Sequence, residues 1–162
     1  MSERSFARTS LGPVIVLGVG LGGFVDGIVL HQLLHWHHLL SATGASLHAN
    51  MVADGLFHAA TWLVTLGGLI WLWAYLRGGR VNLSWSALAA GLILGWGLFN
   101  IVEGVIDHQL LGIHHVREGR HELVYDIGFL AFGALLVVTG WLISRTNRDE
   151  RANARRTPHA RG

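Results

Sequence analysis

A seventeen-residue pattern occurs twice in this chain, 77 positions apart, each time at the end of an apolar run long enough to cross a bilayer. Residues 23–39 read GFVDGIVLHQLLHWHHL and residues 100–116 read NIVEGVIDHQLLGIHHV. Eight positions are identical, among them Gly27/Gly104, His31/His108, Gln32/Gln109, His37/His114 and His38/His115, and Asp26/Glu103 keeps a carboxylate. A repeat of this kind points to a duplicated architecture. Here it also carries ionisable groups into segments where they are costly.

Four apolar stretches, at about residues 11–34, 51–76, 85–111 and 123–143, each reach the roughly 20 residues that a helix needs to span a ~30 Å hydrocarbon core. The chain is 51% hydrophobic and 14% charged, with a mean hydropathy of +0.43, far from a soluble-domain composition. Backbone groups in lipid must be satisfied internally, so the stretches read as helices. The expected fold is all-α and integral to the membrane: a four-helix bundle of two parallel helix-hairpin repeats, about 11–77 and 85–143. Gly18-x-x-x-Gly22, Gly23-x-x-x-Gly27 and Gly91-x-x-x-Gly95 offer small faces for close helix contact. Trp36, Trp71, Trp73, Trp85 and Trp141 read as interfacial anchors.

There is no lysine, and arginine sets the orientation. Arg4, Arg8, Arg77 and Arg80 fall on one side with six arginines after the fourth stretch; only Arg117 and Arg120 fall on the other. The positive-inside rule places both termini in the cytoplasm and the histidine-bearing loops outside. The sequence pI of about 9.9 is then a topology signal, not a sign of nucleic-acid binding. Residues 1–10 read as a cytoplasmic N-terminal segment leading into an uncleaved first helix. Residues 144–162 read as a disordered basic cytoplasmic tail. Gly18, Gly20 and Gly23 spell G-x-G-x-x-G, but no strand precedes them, so no nucleotide site is implied. Without cysteine there is no disulfide or thiolate ligand.

At 1.5 Å of rise per residue, the ionisable side chains sort into two layers below the outer surface. His31, Asp54, His108 and Asp126 lie ~6 Å deep; Asp26, His58 and Glu103, with Asn100 nearby, lie ~12–13 Å deep. Leu130 matches His58 and Leu30 matches Asp107, so the copies are not identical in this respect. Imidazole and carboxylate on facing helices form non-haem metal centres, and this set suits Fe, Zn, Mn or Cu(II), with donors enough for two ions. The plainer alternative is a metal-free polar network or proton path.

Asp26 and His31 are five apart, as are Glu103 and His108, which on a regular helix separates them by ~140°. A π-bulge at Gly27 and Gly104 would bring each pair to one face. His38 and His115, seven beyond His31 and His108, are expected to share their face and to join the metal ligands or cap the bundle. His35, His37, His48, His114 and His121 read as exposed loop histidines or an access route for metal. Gln32 and Gln109 could orient the histidines.

The paired [DE]-G-x-x-x-H-Q-L-L-x-x-H-H motifs resemble a bacterial family of small four-helix membrane proteins known as domain of unknown function 2243, over about residues 11–143. The resemblance implies a membrane location and little else, and it carries no established reaction; the expected setting is the bacterial cytoplasmic membrane, with a respiratory-chain or metal-delivery partner. From the residues, the leading expectation is a buried His/carboxylate transition-metal site near the extracytoplasmic face for redox or hydrolytic chemistry. The alternatives are a metal-handling, transport or oxidase-assembly protein, and a haem b protein ligated by His31 and His108 or by His38 and His115.

Overall fold

A computed structural model describes residues 10–78 and 83–156, with side chains to residue 147. Among these residues the structure is helical, without strands. Helix α1 (Gly12–Val25) begins with a proline in its first turn, where a missing N–H costs nothing. It runs directly into a π-helical segment, Asp26–Leu33. After a loop with a 3-10 turn at Ser41–Thr43, Ser46 caps α2 (Leu47–Arg77) by accepting from the Ala49 N–H at 3.2 Å. Ser84 caps α3 (Trp85–Glu103) in the same way through Ala87. Helix α3 passes into a second π-helical segment, Gly104–Leu110, and α4 covers Glu122–Arg156.

Four spans, Gly12–Leu33, Leu47–Arg77, Trp85–Leu110 and Glu122–Asn147, are long and apolar enough to cross a membrane. Burial has the sense expected of a protein in lipid. The buried apolar residues are few and small (Val14, Leu17, Ala53, Ala87, Ala90, Val116), while Leu47, Leu56, Trp73, Leu110 and Val124 are among many large apolar side chains facing out. The interior is mostly polar instead, holding Asp26, His31, Asp54, Asn100, Glu103, His108 and Asp126.

Helices α1 and α3 pack against each other at the centre, with α2 flanking α1 and α4 flanking α3. Glycine allows the central approach. A Cβ on Gly18 would run into the Leu92 carbonyl oxygen, and one on Gly95 into that of Ile15. The flanking contacts are equally close: a Cβ on Gly68 would lie 2.7 Å from the Leu17 nitrogen and one on Gly97 2.7 Å from the Gly133 oxygen.

Helix α4 continues well past residue 143, where its apolar pattern ends. Residues 144–156, expected as unstructured tail, are helical: Arg, Glu and Ala are good helix formers, and a nucleated helix extends at little cost. The rest of that tail (157–162) and residues 1–9 of the N-terminal segment lie outside the described residues. Arginines stack on tryptophans towards the helix ends, Arg77 over Trp73 at 4.8 Å and Arg145 over Trp141 at 5.3 Å, as suits an aromatic–cationic belt.

Candidate metal centre

The site begins where α1 and α3 change pitch. In a π-helix the backbone bonds span five residues, so side chains five apart stack nearly in register. The Leu34 N–H reaches the Val29 carbonyl at 2.9 Å, and Leu111 reaches Ile106 at 2.8 Å. The wider turn brings His31 Nε2 to 3.2 Å from Asp26 Oδ2 and His108 Nε2 to 3.8 Å from Glu103 Oε1. Gly27 is required at this turn because His58 packs on it; a Cβ there would lie 2.6 Å from His58 Nε2. The pitch change proposed from the five-residue spacing is thus present in both segments.

Two residues beyond each π segment stands a residue with positive φ, His35 (49°) and Gly112 (56°), which are 77 positions apart. The reversal turns the chain back over the helix ends and inserts two loop histidines. His37 and His114, read from the sequence as candidates for exposure, are buried; the smooth helical extrapolation beyond Leu33 and Leu110 fails because the chain unwinds there. Their rings stack at 4.6 Å with planes 17° apart. His37 packs edge-on to His31 at 4.4 Å, and His114 edge-on to His108 at 4.7 Å.

Three of the four imidazoles bond an acceptor through Nδ1, and His108 Nδ1 faces a carboxylate without a hydrogen bond. His37 Nδ1 donates to the Val116 carbonyl at 2.8 Å and His114 Nδ1 to that of Leu39 at 3.2 Å. His31 Nδ1 meets Asp54 Oδ1 at 3.0 Å, and His108 Nδ1 faces Asp126 Oδ1 at 3.5 Å. Carbonyl and carboxylate oxygens only accept, so each Nδ1 bonded to one donates, while the Nε2 atoms of His31 and His114 face carboxylates of their own, Asp26 and Glu103, at 3.2 Å. Those Nε2 atoms turn inward together with Asp26 and Glu103. His108 Nε2 and His114 Nε2 are 3.1 Å apart, and His114 Nε2 is 3.2 Å from Glu103 Oε1. The donor atoms of His31, His37 and His114 lie within 4.8 Å of one another, as do those of Glu103, His108 and His114. Burial, then the neighbouring His114 and His31, push the His37 imidazole down to about 3, so it is neutral at physiological pH.

This arrangement is costly on its own. Asp26 Oδ1, His37 Nε2, His108 Nδ1 and Glu103 Oε2 are buried without a hydrogen-bond partner, and the 3.2 Å contact of His31 Nε2 with Asp26 Oδ2 is a charge contact without hydrogen-bond geometry, at an expense of several kcal/mol in total by the usual ~1–3 kcal/mol for each unsatisfied polar group. The Nε2 atoms of His108 and His114, 3.1 Å apart, need a proton or a cation between them, because two lone pairs at that distance repel. Ligand atoms bound at about 2.0–2.1 Å in tetrahedral geometry are ~3.3 Å apart, close to the 3.1 and 3.2 Å separations seen here.

The other expected ligands stand behind this ring. Asp54 accepts from the Leu39 N–H at 2.8 Å, from His38 Nδ1 at 2.6 Å and from His31 Nδ1. Asp126 accepts from the Val116 N–H at 2.9 Å and from His115 Nδ1 at 2.7 Å. The structure therefore gathers Asp26, His31, Glu103 and His108 inward, and sets Asp54, Asp126, His38 and His115 as a surrounding layer that orients the imidazoles and pins the loops. His58 bonds the Asp54 carbonyl on its own helix through Nδ1 at 2.6 Å, with its ring 6.4 Å from that of His31. Asn100 is buried near the site with Oδ1 unpartnered. Gln109 reaches Asp126 at 3.5 Å, whereas Gln32, His35, His48 and His121 are exposed. The signal for His37 and His114 was present in the repeat itself, where both are among the identical positions.

These features define a four-span helical membrane protein with a His/carboxylate cluster buried under the loops that join α1 to α2 and α3 to α4. The chain belongs to the family described as "predicted membrane protein (DUF2243)", whose family model matches residues 13–147. No curated protein and no solved structure matches it.

Proposed function

We propose that the protein holds a transition-metal centre, with His31, His37, His108, His114, Asp26 and Glu103 as ligands. The observation that carries this is the 3.1 Å approach of His108 Nε2 to His114 Nε2, with His114 Nδ1 bonded to the Leu39 carbonyl and His108 Nδ1 facing Asp126 Oδ1 at 3.5 Å. Paired Nδ1–carboxylate and Nδ1–carbonyl contacts are the usual outer layer of histidine metal sites, fixing tautomer and ring orientation. Two ions fit the charge: Asp26 and Glu103 in the ring and Asp54 and Asp126 behind it bring four carboxylates, and no arginine contact to any of them is found among the described residues. Two divalent cations would balance them.

The arginine distribution supports placing the centre at the extracytoplasmic side of a bacterial cytoplasmic membrane, and nitrogen and oxygen donors suit Fe, Zn, Mn or Cu(II). A fixed centre for redox or metal-assisted chemistry fits better than an ion conduit, because the glycine-tight α1/α3 seam continues beneath the cluster. Ring-on-ring packing of the four imidazoles leaves no flat slot between them for a haem. The test is the metal content of protein purified without chelators: about two transition-metal ions for each chain support the reading, and a content near zero after supplying Fe, Zn, Mn and Cu in turn overturns it.

A further inference from the structure

Two crevices open towards lipid on the flanks of the α1/α3 seam, and they differ in one chemical respect. The first, about 270 Å³, is walled by Val19, Phe57, Phe99 and Val102 and has Glu103 and Asp107 at its end. The second, about 450 Å³, is lined by apolar side chains and glycine alone. Gly22, Val25 and Val29 of the second stand 77 positions before Phe99, Val102 and Ile106 of the first. Where the first has Asp107, that offset gives Leu30. Packing at this depth is therefore satisfied by leucine, and the acid needs another reason.

Asp107 is half-buried on the outer part of a membrane span. Carboxyl groups at such depth are expensive and usually functional. Glu103 is 5% exposed with Oε2 unpartnered, and it lines the same crevice. Two oxygen acceptors thus end an apolar slot whose walls include the Phe57 and Phe99 rings, 6.2 Å apart. An occupant arriving from the bilayer must be apolar, flat enough to sit against phenyl rings, and able to donate hydrogen bonds at one end.

The geometry points to a binding site in this crevice for a membrane-dissolved hydroxylated ring of the phenol or quinol class, with its hydroxyl against Asp107 and Glu103. This rests on the metal reading in one way only: Glu103 is shared, so the hydroxyl of the bound molecule is brought to the edge of the proposed centre from the lipid side.

The probe is a 4-alkylphenol carrying a diazirine in its chain, photolysed with the full-length protein in phosphatidylcholine nanodiscs and mapped by mass spectrometry. Labelling is expected at the crevice near Phe99 and Val102. It should be displaced by 4-dodecylphenol at concentrations at least tenfold below those needed with 4-dodecylanisole, which has the same ring and tail without the donor. Asp107→Leu should reduce labelling about tenfold, and Val102→Trp, which fills the crevice, should do the same. Ile93→Trp in the apolar crevice should leave it unchanged. Labelling spread over the lipid-facing surface, equal competition by the anisole, or labelling indifferent to both crevice variants would overturn the inference. Metal content measured on the same samples separates that failure from failure of the metal centre.

Discussion

His37 Nδ1 donates to the Val116 carbonyl oxygen at 2.8 Å, from the loop after the first π-helical segment into the loop after the second. The reciprocal contact, His114 Nδ1 to the Leu39 oxygen at 3.2 Å, joins the positions 77 residues away in each case. Each loop thereby holds the central imidazole of the other, and the two halves close the site together. Neither hairpin alone could assemble the stacked His37–His114 pair.

Removing a central imidazole should therefore empty more than one ligand position. His114→Ala is expected to lower metal content at least tenfold, since His114 belongs to both groups of converging donors. His37→Ala should weaken binding strongly as well, whereas His121→Ala, an exposed loop change, should leave it intact. Metal analysis by mass spectrometry after identical purification checks this, and an unchanged content in His114→Ala would show that the ring is not the ligand set.

Much of this site is legible in the sequence, and the limits are physical. The paired carboxylate-glycine-histidine motifs and their spacing lead to the change of helical pitch, because no regular helix puts residues five apart on one face. The same reasoning fails for the loop. His38 was expected to share the face of His31 by a seven-residue spacing, but that period ends once His35 adopts φ 49°. His38 reaches Asp54 from the side and His37 takes the interior place. Periodicity says nothing about a chain that has left the helix; only the identity of both histidines in the two copies could have ranked His37 and His114 higher. The helical run of α4 to Arg156 was hidden for the opposite reason: no apolar stripe marks it, although local propensity suffices.

Asp54 and Asp126 should behave as a matched pair. Asp54→Asn keeps an acceptor for the Leu39 N–H but removes the charge that orients His31 and His38, so metal affinity should fall by about 10–100-fold, the usual effect of an outer-layer change. Asp126→Asn should have a similar effect through His108, His115 and Val116. Metal affinities from chelator competition check both. Equal losses would mean the halves contribute alike, and no loss in either would sever these carboxylates from the centre.

The buried state of His37 makes metal-free stability depend on pH. Its ordinary value is 6.5, lowered to about 3 by burial and then by His114 and His31. Below pH 6.5 the unfolded chain binds a proton there that the folded chain refuses, so stability is full above 6.5 and declines as pH falls towards about 3. The contribution is on the order of a few kcal/mol at most, at about 1.4 kcal/mol for each pH unit. In protein stripped of metal, His37→Gln should flatten the fall in melting temperature between pH 6.5 and 4.5 relative to wild type. A variant whose profile parallels the wild type would show that His37 is not the group refusing the proton.

Glycine substitutions should separate helix contact from helix propensity. Gly95→Ala places a methyl group against the Ile15 carbonyl and 2.7 Å from the Gly18 Cα, where both neighbours are backbone and cannot yield without moving α1 from α3. Forced overpacking costs about 1–3 kcal/mol or more, and the shift would also displace His31 from His108 at the head of the same helices. Gly67→Ala and Gly128→Ala meet nothing within 4 Å, and alanine in a helix interior gains about 0.5–1 kcal/mol over glycine. Gly95→Ala is thus expected to lower both melting temperature and metal retention, while Gly67→Ala and Gly128→Ala hold or raise the melting temperature with metal retained. A Gly95→Ala protein as stable as the wild type would show that the α1/α3 seam is looser than the backbone contacts require.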